Sequence, residues 1–251
     1  MLQLNSIYLG DCLEVMKDIE DKSVDLILCD LPYAVTNSCK WDVIIPFEPL
    51  WEHYERIIKD NGCIALTASN KFQYKLVGSN LSLFKYEWVW EKAQATGHLN
   101  ANKRPLAAHE FVNVFYKKQP TYNPQKTRGH KPVNSYTKYL DTVNKSEVYG
   151  KTNTEISGGG NTDRFPRSVL KFPSDKQTCY IHPTQKPLAL MEYLIKTYTN
   201  EGDLVLDNCT GSGTACIGAI NTHRNYIGIE KDESYFDKAN KRIKEHKEKS
   251  N

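Results

Sequence analysis

Asp30, Leu31, Pro32 and Tyr33 stand directly after an apolar run, VDLILC, in a chain of 251 residues. Within four positions they offer a carboxylate, a backbone carbonyl and an aromatic ring. An exocyclic amine on a flat base needs such a set: two acceptors for its N–H groups and a surface to stack on. A strand-ending Asp followed by a proline turn and a core Tyr fits the same residues.

A second loop, Asp207-Asn208-Cys209-Thr210-Gly211-Ser212-Gly213-Thr214, follows the short apolar run LVL. Gly211 and Gly213 between a strand and a helix let backbone approach a ligand closely, and a helix N-terminus favours an anionic group. The dinucleotide pattern G-x-G-x-x-G fails because its third position is Cys216, and no Gly-Lys-Ser/Thr follows for a phosphate-binding loop. Glu230 ends the next strand pattern and can hold ribose hydroxyls. Gly-x-Gly with that Glu suits a nucleoside carrying a small carboxylate tail, such as S-adenosylmethionine. A tight strand–helix turn without a ligand is the lesser alternative for the glycines.

Both loops need strands behind them. Strand patterns are read at 6–9, 24–29, 62–68, 86–91, 110–116, 203–206 and 226–230. Helical spacing is read at 12–19, 47–59 (closed by Asn61-Gly62), 71–77, 187–199, 212–221 and 232–247, the last fraying at its lysine-rich end. Pro187 sits near a helix start, where its missing N–H costs nothing. Tyr235, Phe236, Ala239 and Ile243 should face inward on the last helix. Strands alternating with helices predict an α/β, doubly wound, mostly parallel sheet, with ligands at the carboxyl ends of its strands. Between about 93 and 181 the chain is polar, aromatic and rich in Pro, Asn and Gly. A stretch of that length suggests a binding segment or disorder.

Composition narrows the classes. With 39% hydrophobic and 25% charged residues a packed core is expected. The longest apolar runs, 26–29 and 63–66, are far short of the ~20 residues that span a bilayer. The start carries neither a basic nor an apolar leader, so a cytoplasmic location is expected. Seven cysteines without a C-x-x-C pair argue against a disulfide framework or structural zinc. His53, His98, His109, His130, His182, His223 and His246 show no ligand spacing, so no metal is expected. The net charge of +3 is unevenly distributed: residues 117–176 hold 12 Lys/Arg and 5 Asp/Glu, a net of +7, and the remainder carries −4. A basic middle segment suggests a polyanion-facing insert, although a solvated lysine-rich loop has the same composition.

Taken together, these residues resemble the amino DNA methyltransferases of the β arrangement, in which a D-P-P-Y catalytic loop comes first, a target-recognition segment second and the cofactor loop last. Asp30–Tyr33 stands for the catalytic loop, His182-Pro183-Thr184-Gln185-Lys186-Pro187 matches H-x-T-Q-K-P, Asp207–Thr214 corresponds to D-P-F-x-G-S-G-T, and Gly10-Asp11-Cys12 resembles a Gly-Asp segment beside the cofactor adenine. The likeness covers roughly 1–118 and 180–247. It departs at Leu31, which still supplies the carbonyl that the family's Pro uses, and at Asn208-Cys209, which replaces a Pro-Phe packed near the methionine portion.

The resemblance implies a circularly permuted, Rossmann-like S-adenosylmethionine-dependent methyltransferase fold, with a catalytic half at 1–118, a target-recognition insert at 119–181 and a cofactor-binding half at 182–251. It implies methyl transfer to adenine N6 in double-stranded DNA, since cytosine-N4 enzymes more often carry Ser at the first loop position. C5-cytosine chemistry needs a Cys nucleophile, typically after Pro, and no cysteine follows a proline. Cytosine N4, RNA, a protein amide, or a methyltransferase-like subunit with a dead site are the rival readings; an intact Asp30 and Tyr33 speak against the last. The cofactor set is Asp11, Cys12, Thr184, Lys186, Asp207, Cys209, Gly211, Gly213, Thr214 and Glu230, with Glu230 on the ribose and Lys186 and Thr184 near the amino-acid tail. Asp11 would also serve as an ordinary helix cap. Arg128, Lys131, Arg164 and Arg167 are candidates for DNA contacts. Tyr122, Tyr136, Tyr139, Tyr149, Phe165 and Phe172 would stack on bases or, more plainly, form the insert's own core. A homodimer and a separately acting restriction endonuclease are partners compatible with the family.

Overall fold

VDLILC becomes a strand buried on both faces, and the molecule is built outward from it. The computed structural model describes residues 2–34, 42–133, 136–139, 155–173 and 185–250. In chain order these form β1 (Ser6–Leu9), α1 (Cys12–Val15), β2 (Val24–Cys29), α2 (Phe47–Ile57), β3 (Ile58–Ala68), α3 (Asn70–Ser79), β4 (Phe84–Thr96) and β5 (Ala107–Phe115). They continue with β6 (Tyr136–Tyr139), β7 (Glu155–Gly158), β8 (Val169–Phe172), α4 (Leu188–Tyr198), β9 (Leu204–Asp207), α5 (Thr214–Asn221), β10 (Asn225–Glu230) and α6 (Glu233–Ser250).

The main sheet has eight strands in the order β1-β10-β9-β2-β3-β5-β4-β8. The first five run parallel, β5 is antiparallel to both β3 and β4, and β8 is parallel to β4. Side chains alternate across the sheet as the strand period of two requires. Leu26, Leu28, Cys63, Ala65 and Val205 join one core with residues of α4, α5 and α6. Ile27, Cys29, Ile64, Leu66, Leu204 and Leu206 join the other with α1, α2 and α3. Burial on both faces explains why the parallel strands read as unbroken apolar runs.

Several boundaries differ from the sequence expectation. Asn61-Gly62 does not cap a helix but lies inside β3, where the pairing with β2 shifts register. A Cβ on Gly62 would come within 2.8 Å of the Ile58 side chain and 3.0 Å of the Asp25 carbonyl, so close packing selects the glycine here. Strand β4 extends to Thr96 because β5 and β8 both pair with it. The last helix does not fray but continues to Ser250. Ala239 and Ile243 are buried on it; Tyr235 and Phe236 are only partly covered.

The chain divides into two compact units, one of Met1–Asn123 with Ser168–Asn251 and one of Pro124–Arg167. The first holds the main sheet, including β8, which falls inside the segment expected as insert. The second carries the β6–β7 pair and a bridge between Thr127 and Arg164. The aromatics of this region do not form a small core of their own among the described side chains. Phe172 packs on the main core against Tyr193, Tyr122 lies beside Tyr198, and Phe165 is exposed under the Lys126 ammonium. Tyr149 and the side chains of Tyr136 and Tyr139 lie outside what the structure describes.

Candidate active site

The carboxyl ends of β2, β9 and β10 open into one cleft of about 1050 Å³ in the larger unit. Its lining includes Asp11, Asp30, Tyr33, Lys186, Asp207 and Glu230. Strand polarity brings them together: each acidic residue ends or follows a parallel strand, so all face one edge of the sheet.

Asp30 is the first residue after β2. Thr67, at the end of β3, donates a hydrogen bond to its Oδ1, and the Tyr33 hydroxyl lies 2.8 Å from that oxygen and from the Thr67 hydroxyl. The other oxygen, Oδ2, accepts from Lys186 Nζ at 2.8 Å. The same ammonium lies 3.1 Å from Glu110 on β5, whose second oxygen is 3.3 Å from Lys92. Burial pushes the Lys186 ammonium toward neutrality, but the Asp30 and Glu110 carboxylates outweigh it and hold its pKa above that of an ordinary lysine. Tyr33 stacks on Phe72 with ring centroids 4.8 Å apart, so its plane is set by packing. Burial pushes its hydroxyl pKa well up and Asp30 adds to the effect, so the phenol stays protonated. The loop leaves through Ala34 at φ 53°, a left-handed conformation uncommon outside glycine, with its N–H donated to Asp42 at 2.7 Å.

The glycine loop lies across the cleft. Gly211 and Gly213 have φ of 53° and 75°, and Gly213 caps the N-terminus of α5, so the left-handed turn itself requires glycine. Beneath the loop, a Cβ on Gly228 would meet the Thr210 hydroxyl at 2.8 Å. The Glu230 carboxylate accepts from the N–H of Gly211 at 2.7 Å and of Asp232 at 2.8 Å. Burial raises its pKa, partly offset by those N–H groups. Burial raises Asp207 further, to about 7, against the pull of the Cys209 N–H on its Oδ1. Asp11 caps α1 by accepting from Leu13 N at 3.0 Å and pairs with Lys231 at 2.9 Å, a hydrogen bond that lowers its pKa. Cys12 is buried with its thiol against that of Cys209, which lines the cleft. Thr214 accepts from Arg242 at 2.9 Å.

Lys186, expected near the amino-acid tail of a ligand, lines the cleft with its ammonium on Asp30 and Glu110. Thr184 lies outside the described residues. Arg128, Lys131 and Arg167 are exposed in the smaller unit, whereas Arg164 directs its guanidinium at the carbonyls of Asn161, Asp163 and Lys131. Sequence reading missed Glu110 and Thr67. Thr67 had a signal, a hydroxyl at the end of an otherwise apolar strand; Glu110 had none, because only the β3–β5 pairing carries it to the cleft. Among the described residues no cluster of three metal-ligating side chains occurs, and no helix is long and apolar enough to cross a membrane.

Comparison with known proteins gives a consistent family. A DNA methylase family model, for N6 and N4 enzymes, matches residues 24–241. The type II methyltransferase M.HpaI of Haemophilus parainfluenzae is 26% identical over 246 residues, 93% of this chain and 72% of that protein. The crystal structure of the M1.HpyAVI–SAM complex is 27% identical with a TM-score of 0.62, covering 94% of this chain and 98% of that one. The cytosine-N4-specific PvuII DNA methyltransferase shares the fold at 17% identity, with a TM-score of 0.67 over 95% of this chain and 86% of that one.

Proposed function

Because this chain belongs to the N6/N4 DNA methylase family, we propose that it transfers a methyl group from S-adenosylmethionine to the N6 amine of an adenine flipped out of double-stranded DNA. The observation that carries this is one cleft holding both the Asp30 carboxylate, clamped by Thr67 and Tyr33, and the Glu230 carboxylate, clamped by two backbone N–H groups.

The donor set fits the cofactor. Asp11, Asp207, Glu230 and Asp232 line the cleft around the glycine loop; the Lys231 ammonium there is paired with Asp11, and the Arg242 guanidinium is turned to Ser212 and Thr214. Such a site disfavours a diphosphate and suits a cationic nucleoside. Glu230 would accept from the ribose hydroxyls, Asp11 would lie at the adenine, and Asp207 would face the positively charged portion. Cys12, Cys209, Gly211, Gly213 and Thr214 would form the walls. When bound, S-adenosylmethionine supplies an electrophilic sulfonium methyl.

The residues of the first loop handle the other reactant. An adenine amine is a poor nucleophile because its lone pair is delocalised into the ring. Asp30 and the Leu31 carbonyl would accept its two hydrogens, drawing the nitrogen toward sp³ and freeing that pair. Pro32 turns the chain so that Tyr33 lies alongside the base. As positive charge grows on nitrogen, the fixed Asp30 carboxylate stabilises it without reorganising. Holding the base in line with the methyl supplies much of the remaining rate. The incoming amine takes the Asp30 Oδ2 position that Lys186 occupies, and Glu110 keeps the displaced ammonium paired.

Adenine is favoured over cytosine because position 30 is Asp rather than Ser. The test is incubation with unmethylated genomic DNA and labelled S-adenosylmethionine, followed by mapping of the modified bases. N6-methyladenine at a recurrent site is expected. N4-methylcytosine would correct the base, and no incorporation would reject the activity.

A further inference from the structure

The β4–β5 hairpin continues from residues that line the cleft into a tip of unusual make-up. Between Glu91↔His109 and the last rung, Thr96↔Ala107, the pairing shifts, so that residues 92–95 bulge opposite a single residue of β5. Lys92 through Thr96 thereby line the cleft wall. Beyond them Gly97, at φ 94°, turns the chain into a short helical turn, His98–Asn100. Leu99 on this turn is 100% exposed. The tip is nevertheless held by its own backbone, with Asn100 N donating to Gly97 O at 2.9 Å and Lys103 N to Asn100 O at 2.8 Å. From Lys92 to His109 there is no acidic residue. Lys103 and Arg104 are both exposed, and neither makes an ion pair among the described residues.

A single exposed leucine is ordinary on a protein surface. An apolar knob on a hydrogen-bonded turn, beside two cations without ion pairs among the described residues and within an acid-free segment (92–109) whose first residues line the cleft, is a more specific arrangement. Flipping a base leaves a hole in the stack, and apolar wedges compensate for lost stacking while neighbouring cations take phosphates. Building on the DNA-methylation reading above, we propose that the 97–106 tip enters the duplex beside the target base, with Leu99 filling the vacated stack and Lys103 and Arg104 holding the flanking phosphates. Leucine has no polar group with which to read a base edge, so its task is to stabilise the flipped state rather than to select sequence.

The test compares methylation by wild type, Leu99→Ala and Leu99→Met on one target site in two duplexes, one fully paired and one with an abasic position opposite the target base. Because Leu99 is fully exposed, its replacement leaves the fold intact, which a thermal melt verifies. Leu99→Ala is expected to lose about tenfold in kcat/KM on the paired duplex and to recover to within about twofold of wild type on the abasic one, where the target base has no pairing partner and leaves the helix at lower cost. Leu99→Met should stay near wild type on both. Equal activity of Leu99→Ala and wild type on the paired duplex, or an equal loss on both duplexes, overturns the wedge while leaving the enzyme's activity standing. A wild-type protein inert on both removes the activity itself, and the wedge with it.

Discussion

Lys186 Nζ lies 2.8 Å from Asp30 Oδ2 and 3.1 Å from Glu110 Oε2, which makes one buried ammonium the shared counter-ion of two carboxylates from distant parts of the chain. Its side chain is only 7% exposed, so removing the charge leaves the two acids facing each other with little water to screen them. Lys186→Met is expected to destabilise the protein by about 3–5 kcal/mol in chemical denaturation. Adding Glu110→Gln should recover part of that loss. A single variant as stable as wild type would show that the triad is not electrostatically coupled.

Asp30→Asn preserves shape but weakens the acceptor for the amine and the stabilisation of its developing charge. Methyl transfer should fall by about 100-fold or more, with duplex affinity in a gel-shift assay nearly unchanged. Thr67→Val frees the carboxylate on one side and should cost less, in kcat rather than KM.

Asp207 sets a pH dependence. Burial pushes its carboxyl pKa from an ordinary 3.8 up to about 7. Between those values the native protein holds a proton that the unfolded chain has released. Stability from this group is therefore full below about pH 4 and is lost as pH rises through about 7. Asp207→Asn cannot ionise and should flatten that decline, gaining on wild type by a few kcal/mol between pH 4 and 8 in parallel melts.

Glu230→Gln keeps the side chain's size but lowers its capacity to accept from Gly211, Asp232 and two ligand hydroxyls together. Calorimetric titration with S-adenosylmethionine should show affinity weakened by about tenfold or more. An unchanged affinity would move the ribose elsewhere in the cleft.

In the smaller unit, Arg128→Ala and Lys131→Ala should each reduce the slope of log affinity against log salt by about one. Arg164→Ala differs, because its guanidinium serves three carbonyls. Its replacement should first increase protease sensitivity of Pro124–Arg167.

The parallel strands, the two chemistry-bearing loops and the family were legible in the linear chain, because burial on both faces makes apolar runs and because a loop's chemistry travels with its residue types. Asp30 and the glycines announce themselves by following a strand, and Glu230 by ending one. What the linear chain could not show is pairing across distance. Thr67 and Glu110 reach Asp30 and Lys186 only through the β2–β3–β5 register, and Gly62 looks like a helix cap until the neighbouring strand is laid against it. Lys186 likewise sits in a motif whose spacing gives no hint of its counter-ions. Local sequence determines what a residue can do; the sheet order, set by which apolar faces cover one another, decides which residues it does it with.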